Sequence, residues 1–304
     1  MLRQKSCKQA HKRGKLSIAE VDLFILEVRQ MTVDDLEFAV NITRTMDWNL
    51  EKGDFLFMME LEPEGCYVLA DDEEKVGIAT NVNFGRIAWF GNLIVDKNRR
   101  DKGGGSLLVR HSLGYLQEKG VRTLGLYAYI ERIPFYERLG FKKDVQYVVL
   151  HGKPHSSAVK ADLALARTAK EFRDVVNFDS ACFGESREKS LGPIISDLDN
   201  RCYMHKHNGQ VDGYVVAKIY GDAAEIGPLV CPSGRGDLAA DLLREIISGL
   251  EEREVALFVS EKEAAILAML EDSGFHESFR LTRMFWGSPL MDRCLCLPES
   301  LERG

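Results

Sequence analysis

VDKNRRDKGGGS, residues 95–106, stands between a near-continuous apolar run, RIAWFGNLIV (86–95), and an amphipathic stretch, SLLVRHSLGYLQEKG (106–120). The apolar run reads as a central strand buried on both faces. The amphipathic stretch reads as a helix that stops at Gly120. Three consecutive glycines at such a junction carry a large conformational-entropy cost. Either the turn needs left-handed dihedrals, or something approaches the backbone too closely for a Cβ. A glycine-rich turn at a helix N-terminus presents free backbone N–H groups and the positive end of the helix dipole, which suits an anion. The Walker phosphate loop is excluded, because no Gly-Lys-Ser/Thr follows at its spacing. The dinucleotide fingerprint fails as well, since Leu108 stands where it needs Gly or Ala. A turn with purely structural glycines, in a protein that only binds partners, stays open at this point.

Working outward, DLFILEVRQM (22–31) reads as a strand, and Thr32 caps a helix over VDDLEFAVNITRTM with Asp34 and Asp35 in its first turn. GCYVLADDEEKVGIATNVNF (65–84) reads as two strands about an acidic turn. VRTLGLYAYI (121–130) is a further strand, and PFYERLGF (134–141) is a short helix with Pro at its start and Gly at its end. HGKPHSSAVK (151–160) has the composition of a linker. Beyond it the order recurs: a helix over 163–183, strands within 201–220 and 223–230, a helix over 236–253, a strand VALFVS and a helix ending LEDSGF (270–275). YERLGF and LEDSGF fall at matching points of the two halves, which predicts a duplicated α/β unit.

At 304 residues, 45% hydrophobic and 29% charged, the chain has the composition of a globular protein of two domains. No apolar run reaches the roughly 18–20 residues needed to span a bilayer. The first fifteen residues carry Arg3, Lys5, Lys8, Lys12, Arg13, Lys15 and no acid, and lack a signal-peptide apolar core. Residues 1–19 are therefore expected to be a solvated basic leader. Without those six charges the formal net charge falls from −7 to −13. So acidic a body argues against general binding to nucleic acid or anionic membrane. Seven cysteines without CxxC spacing predict reduced thiols and a cytoplasmic protein. Cys294/Cys296 and His205/His207 have metal-pair spacing but no second pair, so no metal is expected.

Val95-Asp-Lys-Asn-Arg-Arg-Asp-Lys-Gly-Gly-Gly105 resembles motif A of the GNAT N-acyltransferases, Gln/Arg-x-x-Gly-x-Gly/Ala, with Arg100, Gly103 and Gly105 at its three defined positions. IPFYERLGF (133–141) resembles motif B, and ILEVRQMTVDDLEFAV (25–40) the family's first strand and helix. Together with MDWN, EPEGCYVLADD and AWFGNLIV, and with ACFGESR, VDGYVVAK and EIGPLV in the second half, the chain is similar to tandem-GNAT proteins. These have an intact N-terminal domain and a degenerate C-terminal one. The resemblance implies an α/β (α+β) fold of two GNAT-like domains, each a mixed, mostly antiparallel sheet flanked by helices. It places them at 20–150 and 161–304, with a linker at 151–160. Counting from Val230 as from Val95 puts Arg235, Leu238 and Ala240 where Arg100, Gly103 and Gly105 stand. One acyl-CoA per chain is expected, in the first half.

The resemblance further implies that the pyrophosphate of acetyl-CoA lies on Arg100, Asp101, Lys102, Gly103, Gly104, Gly105 and Ser106, with the pantetheine beside Leu93, Ile94 and Val95. The Val95 N–H faces the thioester oxygen, and Tyr136 protonates the departing thiolate. No base is evident. The strand at Leu124–Ile130 has Tyr127 and Tyr129 but no carboxylate, where Asp in place of Tyr127 is more usual in the tandem group. Glu131 and Asp179 are the nearby acids. Trp48, Trp89, Tyr127 and Phe183 are candidate walls of an acceptor pocket, and Arg187 a candidate clamp for an acceptor carboxylate. The expected activity is acetyl transfer to the amine of a small molecule. The alternatives are an acetyl-CoA-binding regulatory module without turnover and an acetyltransferase acting on protein N-termini or lysines.

Overall fold

The computed structural model describes residues 26–155, 159, 161–290 and 294–304. The basic leader lies outside the described residues. The first half runs β1 (Leu26–Gln30), α1 (Leu36–Arg44), α2 (Lys52–Leu61), β2 (Cys66–Asp71), β3 (Glu74–Asn83), β4 (Ile87–Val95), α3 (Gly104–Glu118), β5 (Thr123–Tyr129), α4 (Ile133–Glu137) and β6 (Lys142–Gly152). The second half runs β7 (Leu163–Leu165), α5 (Ala169–Phe183), α6 (Glu188–Ser196), β8 (Arg201–His207), β9 (Gln210–Tyr220), β10 (Ala223–Pro232), α7 (Gly236–Ile247), β11 (Glu254–Ser260), α8 (Ala264–Asp272), β12 (Phe275–Gly287) and β13 (Cys294–Leu297).

All the strands join one sheet in the order β1-β2-β3-β4-β5-β12-β6-β11-β10-β9-β8-β7, with β13 added on β10. Among the described strands only β4–β5 and β10–β11 are parallel; the other pairings are antiparallel. The mixed, mostly antiparallel architecture is the one expected. The halves, however, exchange strands. β12 of the second half lies between β5 and β6 of the first, and β6 pairs with both β12 and β11. In the first half, α3 and α4 pack Leu108, Val109, Leu116 and Tyr136 on one face of the sheet. On the other face, α1 and α2 pack Leu36, Val40, Phe55 and Met58 around Trp89. In the second half α7 and α8 cover one face and α5 and α6 the other.

Two local expectations are corrected. The helix expected over 163–183 is a strand followed by a helix. Thr168 and Glu171 form a capping box that starts α5 at Ala169, and residues 163–165 pair with β8 instead. The thiols are not all reduced: Cys182 on α5 is disulfide-bonded to Cys294 on β13. Their separation of 112 residues leaves no spacing signal in the sequence. The bond also removes Cys294 from any metal pair, while His205 is hydrogen-bonded to Asp212. Among the described residues no cluster of His, Cys, Asp and Glu is arranged to hold a metal. No described helix is long and apolar enough to cross a membrane.

Candidate active site

β4 and β5 pair only at Ile87–Trp89 with Thr123–Gly125, and then separate. A bulge at Asn92, whose φ is 51°, turns the outer part of β4. Beyond it Asp96 donates its N–H to Val76 on β3. Alternation along the strand then directs the Val95 N–H the other way, into the gap between β4 and β5. The Arg100 side chain folds back onto the Val95 carbonyl at 3.0 Å and reaches Met46 Sδ at 3.6 Å. Leu93 and Val95 are half-buried and Ile94 buried along this edge.

The three glycines have three separate reasons. Gly103 is left-handed at φ 88°, as is Asp101 at 63°, so the chain makes a concave turn into α3. A Cβ on Gly104 would come within 2.6 Å of Leu69 Cδ2, so glycine there lets α3 sit down on β2. At Gly105 the closest described atom to a Cβ would be Phe135 Cζ at 3.4 Å, an ordinary contact. The protein itself does not require glycine at 105; an anion drawn against the first-turn N–H groups would. No acid stands in that first turn. Asp101, Lys102 and Gly103 are exposed, and Gly105 and Ser106 are half-buried.

Tyr136 is buried on α4, edge-on to Phe135 and Phe141, and Phe135 in turn lies over Gly105. Burial pushes its phenol up from its ordinary value. Glu131 is exposed. Asp179 is fully buried, paired with Arg187 at 2.7 Å and accepting from the Tyr214 hydroxyl at 2.5 Å.

The α1/α2 face of the gap is aromatic. Trp48, half-buried after α1, donates its indole N–H to Tyr129 Oη at 3.0 Å. Trp89 stacks on Tyr127 at 5.2 Å, and Tyr147 meets Tyr127 edge-on. Burial drives the Tyr127 phenol far up. A cavity of ≈ 260 Å³ brings Trp89, Tyr127, Phe183 and Arg187 together, but not Trp48. Arg187 lies over the Phe183 ring at 4.4 Å and is committed to Asp179 and to the carbonyl of Gly304. Tyr147, Arg283 and Gly304 also line this cavity. Arg283 on β12 reaches Asp144 at 2.6 Å and Tyr147 Oη at 3.0 Å. No local pattern marks them: Arg283 arrives on β12 through the strand exchange, Tyr147 lies on β6 beside it, and Gly304 follows β13.

The sequence matches the acetyltransferase (GNAT) domain family twice, over residues 62–143 and 175–294. The matches between them span more than half of the chain, which belongs to the GNAT acetyltransferase family and carries two of its domains in tandem. No curated protein sequence matches it. Among solved structures, a Pyrococcus horikoshii protein assigned as an acetyltransferase superposes with a TM-score of 0.74 at 21% identity, covering 97% of this chain and 100% of its own. A GCN5-related N-acetyltransferase from Sphaerobacter thermophilus gives 0.65 at 16% identity, with 88% and 97% covered. A tandem GNAT protein from the clavulanic acid biosynthesis pathway gives 0.59 at 16%, with 87% and 99% covered. At these identities the likeness is one of fold.

Proposed function

We propose that the first half binds acetyl-CoA and transfers its acetyl group to the amine of a small molecule. The observation that carries this reading is the open β4–β5 gap leading to the left-handed turn at Asp101–Gly103. The first-turn N–H groups of α3 take the pyrophosphate, helped by Arg100, Lys102 and Ser106. The edge at Leu93–Val95 pairs with the pantetheine. Acetyl-CoA supplies an activated acyl group. A neutral amine attacks the carbonyl carbon, and the Val95 N–H stabilises the oxyanion, a contribution of about 3 kcal/mol for one well-placed donor. As the C–S bond breaks, the Tyr136 phenol, protonated at neutral pH as an ordinary tyrosine is, gives its proton to the sulfur and is reprotonated by water before the next turnover. The amine loses its proton to water, since Asp179 is held by Arg187 and Tyr214.

The test is calorimetry with acetyl-CoA, followed by an assay of CoA thiol release over a panel of small amines, a peptide N-terminus and a lysine peptide. Binding at one site per chain with release driven by small amines is expected. Binding without release under any acceptor would make the protein a regulatory acetyl-CoA binder.

A further inference from the structure

Residues 299–304 close on themselves. The Glu299 N–H donates to the Gly304 carbonyl, and the Gly304 N–H to that of Ser300, both at 3.1 Å. Glu299 is buried between Arg303, at 2.6 Å, and Lys218 of β9, at 2.7 Å. Both cations hold its carboxyl far below the usual range. The Arg303 guanidinium lies 5.4 Å from the centre of the Phe57 ring on α2, so the segment is fastened to both halves.

What it covers is the α1/α2 face of β4 where the gap opens. A Cβ on Gly304 would run into the Trp89 indole, and a Cβ on Gly91 would come within 2.9 Å of Glu302. Trp89 is the last β4 residue paired to β5, and Gly91 stands two residues on, beside the bulge. The Trp89 Nε1–H is buried and has no hydrogen-bond partner. A buried donor without an acceptor is costly, so hydrogen bonding at this edge of the ring does not account for the segment's place against it.

We propose that residues 299–304 are a fixed cap on the acceptor side of the transfer site, which keeps bulk water from the acyl group and bounds the size of the amine that enters. The inference rests on the transferase reading above. Without the cap, water itself is a competing acceptor. Its oxygen bonds to the acyl carbon, the C–S bond breaks, one water proton goes to the thiolate, and acetate and CoA result. A fixed cap also favours small amines over a polypeptide, which would have to pass where Gly304 lies.

The decisive variant lacks Gly304 only; it gives up the bonds of Glu299, Ser300 and Arg187 to that residue but keeps the side-chain ion pairs of Glu299 with Arg303 and Lys218. Two assays are run beside the wild-type chain: CoA release from acetyl-CoA without amine, and release with linear primary amines from propylamine to octylamine. The variant should hydrolyse acetyl-CoA about tenfold faster, bind it with unchanged affinity in calorimetry, and accept longer amines. Gly304→Ala, which crowds the indole and lifts the segment without shortening the chain, should show the same directions and serves if the deletion does not fold. Normal acetyl-CoA binding with unchanged hydrolysis and an unchanged length profile would overturn the cap alone. Absence of acetyl-CoA binding in the wild-type chain would overturn the transferase reading, and the cap with it.

Discussion

The two halves build the same parallel pair and finish it differently. β4 leaves β5 after three paired positions, and no described strand pairs with its outer part on that side. β10 pairs with β11 over Ala223–Ile226 and Glu254–Leu257, and its outer part, Leu229–Pro232, then pairs with β13 of the same chain. Where the first half keeps an edge open to an extended ligand, the second fills it with its own backbone. The turns differ in the same sense. Asp101 and Gly103 are left-handed ahead of α3, with Gly103 at the N-cap itself; ahead of α7 Gly234 is left-handed, but the N-cap Arg235 has φ −99° and Asp237 occupies the first turn. An acid at that place takes up the attraction an anion would otherwise have. On the reading proposed above, one changed turn and one lent strand make the second copy of the fold a supporting one.

The strongest way to break this comparison is to separate the halves. Residues 26–155 alone lack β12, which stands between β5 and β6, and lack β11 beyond β6. Two long strands would be left with unpaired edges. The fragment is expected to give no cooperative thermal transition by circular dichroism and no acetyl-CoA binding. A sharp transition with binding intact would show that the halves are independent and that the exchange is incidental.

Next in size is the contrast between the turns. Gly105→Val adds a side chain whose Cβ meets Phe135 and Val95 at ordinary contact distances, 3.4 Å or more, so the fold should survive. Acetyl-CoA affinity should fall at least about 100-fold, through loss of close approach to the first-turn N–H groups. Gly236→Ala, at the start of α7 with no described atom within 4 Å of the new Cβ, should leave affinity and a stoichiometry of one unchanged. Calorimetry on both variants checks this; an effect at Gly236 would mean that the second half also binds. Tyr136→Phe follows. It should lower kcat by about 100-fold with the acetyl-CoA KM nearly constant, as for loss of an acid acting only in the transition state. Full turnover would leave Tyr136 as packing between Phe135 and Phe141.

Much of this was legible in the sequence because it is local. The apolar run at 86–95, the glycines at 103–105 and the short helix at 133–137 each carry their signal within a few residues. The roles of Gly104 and Gly105 were not separable there, since one answers to Leu69, more than thirty residues away. β6 was missed because KKDVQYVVLHG follows a motif and runs into an apparent linker, and its partners are strands of the other half. The pairing of Cys182 with Cys294 and the seat of Gly304 against Trp89 depend wholly on the exchange. Arg187 has the place of a clamp in ACFGESR; its buried partner Asp179 stands eight residues earlier on α5, and Arg187 follows that helix's end, just ahead of α6, so no single-helix spacing brings the two together.

The smallest effects compare the two capping boxes that open corresponding helices. Thr32 and Asp35 begin the first half's helix, and Asp35 is buried, held by Arg29 at 2.7 Å and Lys75 at 2.6 Å. Thr168 and Glu171 begin α5, and Glu171 is half-buried with Lys206 at 3.5 Å. Both carboxyls are lowered: Asp35 first by its bond to Arg29, Glu171 first by the backbone N–H of Arg167, which brings it down to about 2. A carboxyl lowered on folding adds stability that is complete above its unfolded value and is lost as pH falls through its folded value. Asp35→Asn should therefore cost about 2 kcal/mol at pH 7, as for hydrogen bonds to a charged group. Glu171→Gln should cost less, about 0.5–1 kcal/mol, because glutamine can still accept the backbone N–H groups of the box and only the charge is lost. Urea unfolding of both variants and the wild type at stepped pH reads the difference. The Glu171 gap should stand unchanged down to about pH 5, then narrow and close near its folded value of about 2. A gap that stayed constant through that range would mean the glutamine loses packing or geometry at the cap, and that the charge of Glu171 contributes nothing to starting α5.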